Sequence, residues 1–501
     1  MNNLPSLGVG GSLFIIFYLV SLIVLGFIAK KSLKEDTLSD FYLAGKGFGF
    51  GVLFLTLFAT QYSGNTFFGF TGATYRNGFS WILCLHFMTA VVAAYLTFAL
   101  KLYKLSNDKR FLTPCDFIQY RYNNRLLTLL ICLIMIIVLC NFVIAQLIAM
   151  GRAVEGLSPI EGSNTFEFGV LGLALIMVIY GSLGGIRAVA WTDVIQGIIL
   201  FFGFFFLLLL MFDNFGSLEK ATNILITRDQ ETGTNYAKIP ETKTLISWGS
   251  YIISVGFGVC LYPQAIQRIF ASRSERDLRK SLSVMAFMPL PTMLIAVSAG
   301  IFALAYFPGL EGPQTDKAFG LVLKEISSRS GLGYMMVIVT LSAVLAAMMS
   351  TSDSALLSIS SMATKDIIQR FFRSQATQSN LLKTSKKISW SVIFILVCFC
   401  FLLKDNTSLI QLLDRKIDLL VQLIPAFIIG LHCNKLNGQA VLMGLVCGLA
   451  VSLVLPFGGF NFVENGKVYG IHAGLIGLLP NTTVALLGSY ILGNKNGIKA
   501  L

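Results

Sequence analysis

Apolar runs about 20 residues long recur along almost the whole chain. Nothing else in the sequence constrains the fold as strongly. A run of that length matches the ~30 Å hydrocarbon core of a bilayer when it is helical. Inside hydrocarbon every backbone N–H and C=O must find an internal partner, which leaves helices and closed barrels. These runs are continuous and do not alternate apolar with polar, so they read as helices. About thirteen can be drawn: 8–29, 48–72, 79–102, 126–150, 166–184, 190–212, 246–270, 281–307, 333–361, 388–403, 408–431, 438–456 and 472–493. The 501 residues are 55% hydrophobic and 13% charged, where a soluble domain carries about 25% charged residues. The expected class is therefore an all-α polytopic membrane protein, a single domain over residues 1–501. The first run has no basic residue before it and no small-residue cleavage pattern after it, so it reads as a span and not as a signal peptide.

The formal net charge is +13. It does not point to nucleic acid, because the basic residues gather in alternate loops between the apolar runs. One set is Lys30, Lys31, Lys34 and Lys46, followed by Lys101, Lys104, Lys109, Arg110, Arg121 and Arg125. The same side continues with Arg268, Arg273, Arg276, Arg279 and Lys280, then Lys365, Arg370, Arg373, Lys383, Lys386 and Lys387. The positive-inside rule places these loops in the cytoplasm, with the N-terminus outside and the C-terminus inside. The nine cysteines lie mostly in apolar runs and form no C-x-x-C pair, so they read as small buried side chains. The three histidines are scattered, and no His/Asp/Ser constellation or metal spacing suggests an enzyme. The longest polar loop is 213–245, and no attached signalling module is expected.

Two runs are broken, and one is unusually rich in hydroxyls. In 48–72, the stretch FATQYSGNTFFGF sets Gln61, Ser63, Gly64 and Asn65 at mid-span, where glycine and amide side chains favour unwinding. In 246–270, Gly256, Gly258 and Pro263 do the same. These spans lie five apart, which suggests two five-helix repeats, 48–212 and 246–431, with a binding site at mid-membrane. Ordinary kinking is the competing explanation. In 341–358, LSAVLAAMMSTSDSALLS presents Ser350, Thr351, Ser352, Asp353 and Ser354 within one helix. Such groups are expected to face a cavity, a partner helix or a hard cation.

Several ordered segments resemble the sodium:solute symporter family. They are SDFYLAGKGFG (39–49), YGSLGGIRAVAWTDVIQGIIL (180–200), QAIQRIFASRSERDLRKSL (264–282) and AAMMSTSDSALLSISSMATKDI (346–367). The resemblance implies a LeuT-like core of ten helices in inverted five-helix repeats, with one extra span before it and two after it (438–493). It implies Na+ as the coupling ion. The family's principal sodium site maps onto the carbonyls of Ala59, Tyr62 and Ala347 and the hydroxyls of Ser350 and Thr351. Residues 347, 350 and 351 share one helical face; close packing of small residues would explain them too. Asp193 matches the family's Trp-Thr-Asp aspartate. With Asp353 and Ser354 it forms a candidate second cation site or exit path, or else it caps a helix.

The solute is less constrained. Gln61, Ser63 and Asn65 from the first break, Gln146 from the third core span and Gln264 from the second break are candidates to line its site. The tenth core span, QLLDRKIDLLVQLIPAF, adds Arg415, Lys416, Asp418 and Gln422. Intramembrane charges default to functional candidates, although Asp414, Arg415, Lys416 and Asp418 could equally neutralise one another. Gln61 stands where proline permeases carry an acid, and VQLIPAF is similar to pantothenate-type members. The expectation is a sodium-coupled symporter in a bacterial inner membrane, importing a small carboxylate or amino acid by alternating access. A solute sensor built on the same fold is the alternative. Its partners are the solute, sodium and lipid, and the sequence is silent on oligomeric state.

Overall fold

Satisfying the backbone inside hydrocarbon shapes the whole molecule. The computed structural model describes residues 9–31, 37–155, 164–372, 375–405 and 407–493, and these are almost entirely helical. Lys34 and Arg373, two of the loop cations used above, lie outside the described residues. The apolar side chains face both inward and outward. Phe168, Phe205, Phe394, Leu402, Leu487 and Ile491 are all exposed on the outer surface. A surface this apolar suits lipid as its solvent.

Among the described residues eight helices are long and apolar enough to cross a membrane, nine if one bent pair counts as a span. The expectation of thirteen is larger because the end of 48–72 continues into 79–102 and 166–184 into 190–212, and because Val9–Lys31 and the short, charged Leu409–Leu420 are not among the eight or nine. Thr165–Phe215 is a single run of 51 residues, roughly 77 Å if straight, far longer than a ~30 Å hydrocarbon core. It turns at Gly185, whose φ of 56° and ψ of −144° suit glycine alone. A Cβ there would lie 2.4 Å from the Phe41 carbonyl oxygen. Asn65–Lys109 likewise runs for 45 residues, with its break at Gly78 (φ 60°) before a 3₁₀ turn.

The site is framed by five elements. The first broken helix comprises Phe50–Gln61, a wide π turn at Asn65–Gly69, and Phe70–Asn77. The second comprises Thr242–Val259 and Pro263–Ala271, bent by 49°. The hydroxyl-rich helix is Gly331–Met362, capped at its start by the Ser330 hydroxyl on the Gly333 N–H. Arg125–Glu155 and the charged helix Leu409–Leu420 complete the frame. The charged helix begins in a capping box of Ser408 and Gln411. Enclosure separates inner helices from peripheral ones: 71% of the apolar window of Gly331–Phe372 is buried, against 22% for Ala473–Leu492. Between the last two helices a small antiparallel sheet pairs Val463–Glu464 with Lys467–Val468, and that strand with Ile471–His472.

Candidate functional site

The first break frees specific backbone groups. Helix Phe50–Gln61 ends at Tyr62, which is extended at φ −103° and ψ 107°. The Ser63 N–H donates to the Thr66 hydroxyl at 3.3 Å instead of to a carbonyl one turn back. The Gly64 N–H is taken by Gln146 Oε1 at 2.9 Å, and the Gln146 amide reaches the Ser63 hydroxyl at 3.4 Å. Gln146 therefore braces the break from behind. The glycine is required by proximity. A Cβ at residue 64 would lie 2.7 Å from Ala149 Cβ and 2.9 Å from Met348 Sδ.

The freed Ala59 carbonyl accepts the Thr351 hydroxyl at 3.2 Å, which joins the first break to the hydroxyl helix. Ala347, one turn earlier, and the Tyr62 side chain are fully buried beside them. Ser350 turns aside: its hydroxyl donates to Asp193 Oδ1. The structure thus brings Ala59 and Thr351 into contact and engages Ser350 with the aspartate.

Asp193 is fully buried and its second oxygen accepts from two more donors, the Thr56 hydroxyl and Arg268 Nη2, the latter at 3.0 Å. Arg268 was counted above among cytoplasmic loop charges. That placement is corrected: Arg268 is 1% exposed and lies within the bundle. Its Nε donates to the Thr56 hydroxyl at 2.8 Å, Nη1 to the Gln264 carbonyl at 3.2 Å, and Nη2 also to the Ser354 hydroxyl at 2.6 Å. Asp193 and Ser354, two members of the candidate second cation set, therefore share a resident guanidinium. The third, Asp353, accepts the Tyr180 hydroxyl, and its Oδ1 has no hydrogen-bond partner among the described residues. Thr56, Tyr180 and Arg268 were not singled out from the sequence. The Gln267–Arg268 pair, in the short helix that follows the Pro263 break, was the available signal.

A narrow cavity of about 40 Å³ lies between the two breaks. Gln61, Ser63, Asn65, Gln264 and Lys416 all line it, together with Phe142, Tyr262 and other side chains. Both polar side-chain atoms of Asn65 and the Oε1 of Gln264 are buried without a hydrogen-bond partner among the described residues. Phe142 is one helical turn from Gln146, and Tyr262 lies in the second break, just before Pro263; both were missed because aromatics are common in apolar spans.

The charged helix separates its ions by face. Lys416 points into the cavity, its Nζ 4.1 Å from the Phe142 ring centroid and 5.8 Å from that of Tyr262. Arg415 stacks on Phe457 at 5.5 Å and stands 3.7 Å from Asp418 Oδ2. Asp418 Oδ1 accepts the Gly474 N–H at 2.8 Å. The Gln422 amide donates to the Ser452 hydroxyl at 2.9 Å and the Gly474 carbonyl at 2.7 Å. Arg415, Asp418 and Gln422 therefore sit at the seam with the last two helices, outside the cavity. Asp414 accepts from the Tyr251 hydroxyl and pairs with Lys467 at 3.1 Å.

The sodium:solute symporter family model matches residues 41–448. The chain is 27% identical over 479 residues to the sodium/pantothenate symporter of Haemophilus influenzae, covering 94% of this chain and 93% of that one. It is 25% identical to an osmoregulated proline transporter of Bacillus subtilis, covering 92% and 91%. Among solved structures, a substrate-bound, outward-open Na+-coupled sialic acid symporter superposes with a TM-score of 0.76 at 17% identity, over 99% of both chains. The nucleobase-cation-symport-1 transporter Mhp1, in a closed form, gives 0.52 at 13% identity, over 90% and 94%. These two structures share the transporter fold. Nothing among the relatives supports the sensor alternative.

Proposed function

We propose that this chain, which belongs to the sodium:solute symporter family, imports a small carboxylate or amino acid across a bacterial inner membrane by alternating access, driven by sodium. The observation that carries this reading is the Ala59 carbonyl, released at the first break and facing the Thr351 hydroxyl at 3.2 Å. Two oxygens held near right angles by one hard cation at ~2.3–2.6 Å stand about 3.3–3.7 Å apart, so this pair is close to the spacing a shared ion needs. In this reading the carbonyls of Tyr62 and Ala347 and the Ser350 hydroxyl complete the principal site. Asp193, Ser350 and Thr351 then connect the sodium site to the buried Arg268. The solute occupies the cavity on the other side of the break, touching Gln61, Ser63, Asn65 and Gln264. Gln146 holds the break in the shape that both ligands require.

The associated architecture is one N-terminal span, repeats at 48–212 and 246–431, and two final spans at 438–493, with the N-terminus outside. The names of the relatives, pantothenate and proline symporters, support a carboxylate or amino acid as solute. The test is uptake into proteoliposomes carrying the full chain, with an imposed inward sodium gradient and a panel of labelled solutes. Uptake that collapses when the sodium gradient is dissipated supports the reading. Saturable binding without sodium-driven flux would replace transport by sensing.

A further inference from the structure

We infer that Lys416 is the recognition group for a carboxylate of the solute, and that the solute is an anion carrying neutral hydrogen-bond donors, without an ammonium group of its own. This rests on the reading of the cavity as the solute site. Lys416 is 1% exposed, and its Nζ has no hydrogen-bond partner among the described residues. Its only described polar attractions are ring faces, Phe142 at 4.1 Å and Tyr262 at 5.8 Å. A desolvated cation–π contact recovers only a small part of what burying an ammonium costs. The neighbouring carboxylates do not supply the rest. Asp414 is engaged by Tyr251 and Lys467. Asp418 is engaged by the Gly474 N–H and by Arg415. The ammonium is thus left with three donors facing a cavity that contains no acidic lining side chain.

The remaining lining defines the other end of the solute. Gln264 Oε1 is a buried acceptor without a donor, and the Asn65 amide offers one more acceptor and two donors. Hydroxyl or amide groups satisfy such positions. An α-ammonium would find no carboxylate to balance its charge among the lining side chains, where the first break carries Gln61. A zwitterion would also bring its positive end into a cavity already holding Lys416. The charge balance therefore favours a monoanionic hydroxy- or amido-acid over a zwitterionic amino acid. The aromatic pair serves as the resting place of the ammonium between solutes, since a ring face yields to a carboxylate at short range.

The experiment uses the full chain in proteoliposomes under an inward sodium gradient, as wild type, Lys416→Met and Lys416→Arg. The probes are pantothenate, lactate, the primary amides of both, and L-proline. In wild type at least one acid is expected to be taken up with a half-saturation at least tenfold below that of its own amide. Lys416→Met is expected to raise the half-saturation of the acid tenfold to a hundredfold and that of the amide by much less, which erases the preference. Lys416→Arg keeps the charge and is expected to keep part of the preference. Ligand-induced thermal stabilisation of each purified variant by the same acid, in sodium, reads binding separately from flux. An unchanged acid-to-amide ratio in Lys416→Met overturns the inference. So does wild type that prefers L-proline to both acids, and in either case sodium-driven uptake still stands. Absence of sodium-driven uptake of every probe defeats the underlying reading of the cavity, and the inference with it.

Discussion

Replacing Arg268 by Met tests whether Asp193 and Arg268 act as one buried unit. Arg268 donates to Asp193, Thr56, Ser354 and the Gln264 carbonyl. Both ionised groups are enclosed, with side-chain exposures of 2% and 0%. Arg268→Met leaves Asp193 with the hydroxyls of Thr56 and Ser350 but no cation. Removing one partner of a buried pair costs about 3–5 kcal/mol, because the survivor is a charge that neither water nor a counter-ion solvates. Asp193→Leu strands the guanidinium and belongs in the same range. Removing both together leaves no uncompensated charge, so the double variant Arg268→Met/Asp193→Leu should lose much less than the sum of the singles. Unfolding of a protein like this is best followed as a rate. If the loss falls on the unfolding barrier, each single variant inactivates roughly two to three and a half orders of magnitude faster at fixed temperature. The double variant should recover most of that half-life while remaining inactive in uptake. Arg273 is the control, since its pair with Asp277 has the arginine side chain 67% exposed. Arg273→Met should change stability by no more than about 1 kcal/mol. Additive losses in the double variant would refute the reasoning.

Three further outcomes are expected. Thr351→Ala removes the hydroxyl on the Ala59 carbonyl and should raise the sodium half-saturation of uptake at least tenfold; with Ser350→Ala added, uptake should fall near background, and a normal sodium dependence in that double variant would show the ion site to be elsewhere. Gly64→Ala forces a methyl against Ala149 and Met348 and should cost about 1–3 kcal/mol, seen as a shortened thermal half-life, whereas Gly172→Ala, which meets nothing within 4 Å, should be neutral or mildly stabilising. In the polar segment after Thr165–Phe215, burial works against the Asp229 carboxylate, but the Ala237 and Tyr236 N–H groups and the Thr234 hydroxyl outweigh it and hold it below the usual carboxylate range. A depressed carboxylate stabilises above its unfolded value of ~3.9 and loses that contribution as pH falls through the folded value. Hydrogen-exchange protection at Tyr236 and Ala237 should therefore stay level from neutral pH to about pH 4 and drop below it, and Asp229→Asn should abolish it at neutral pH.

Both broken helices were legible in the sequence because glycine, proline and amide side chains cannot sit quietly in a continuous apolar run. The hydroxyl cluster at 350–354 was legible for the same reason. The turn at Gly185 was legible too, since the expected spans 166–184 and 190–212 part there, whereas the total of thirteen crossings goes beyond the eight or nine long apolar helices among the described residues. Gly185 carries that turn inside a 51-residue helical run, within the segment SLGGIRAV.

Arg268 and Lys416 were misread or left ambiguous for different physical reasons. A cation next to polar neighbours looks like a loop charge, and Arg268 is followed within a few residues by SRSERDLRK. Only the three-dimensional path, in which Pro263–Ala271 lies inside the bundle, turns it into the partner of Asp193. On Leu409–Leu420 the four ions are all within five residues, and charge alone does not say which of them meets a cavity and which meets a neighbouring helix. At about 100° per residue, Arg415 and Lys416 diverge enough for one to meet Asp418 and Phe457 and the other to meet the cavity. The two cations of the cluster therefore do different work. Arg415 is neutralised where the charged helix meets the last two helices. Lys416 is the cation left for a ligand, because the helix face that carries it opposes two aromatic rings and no acid.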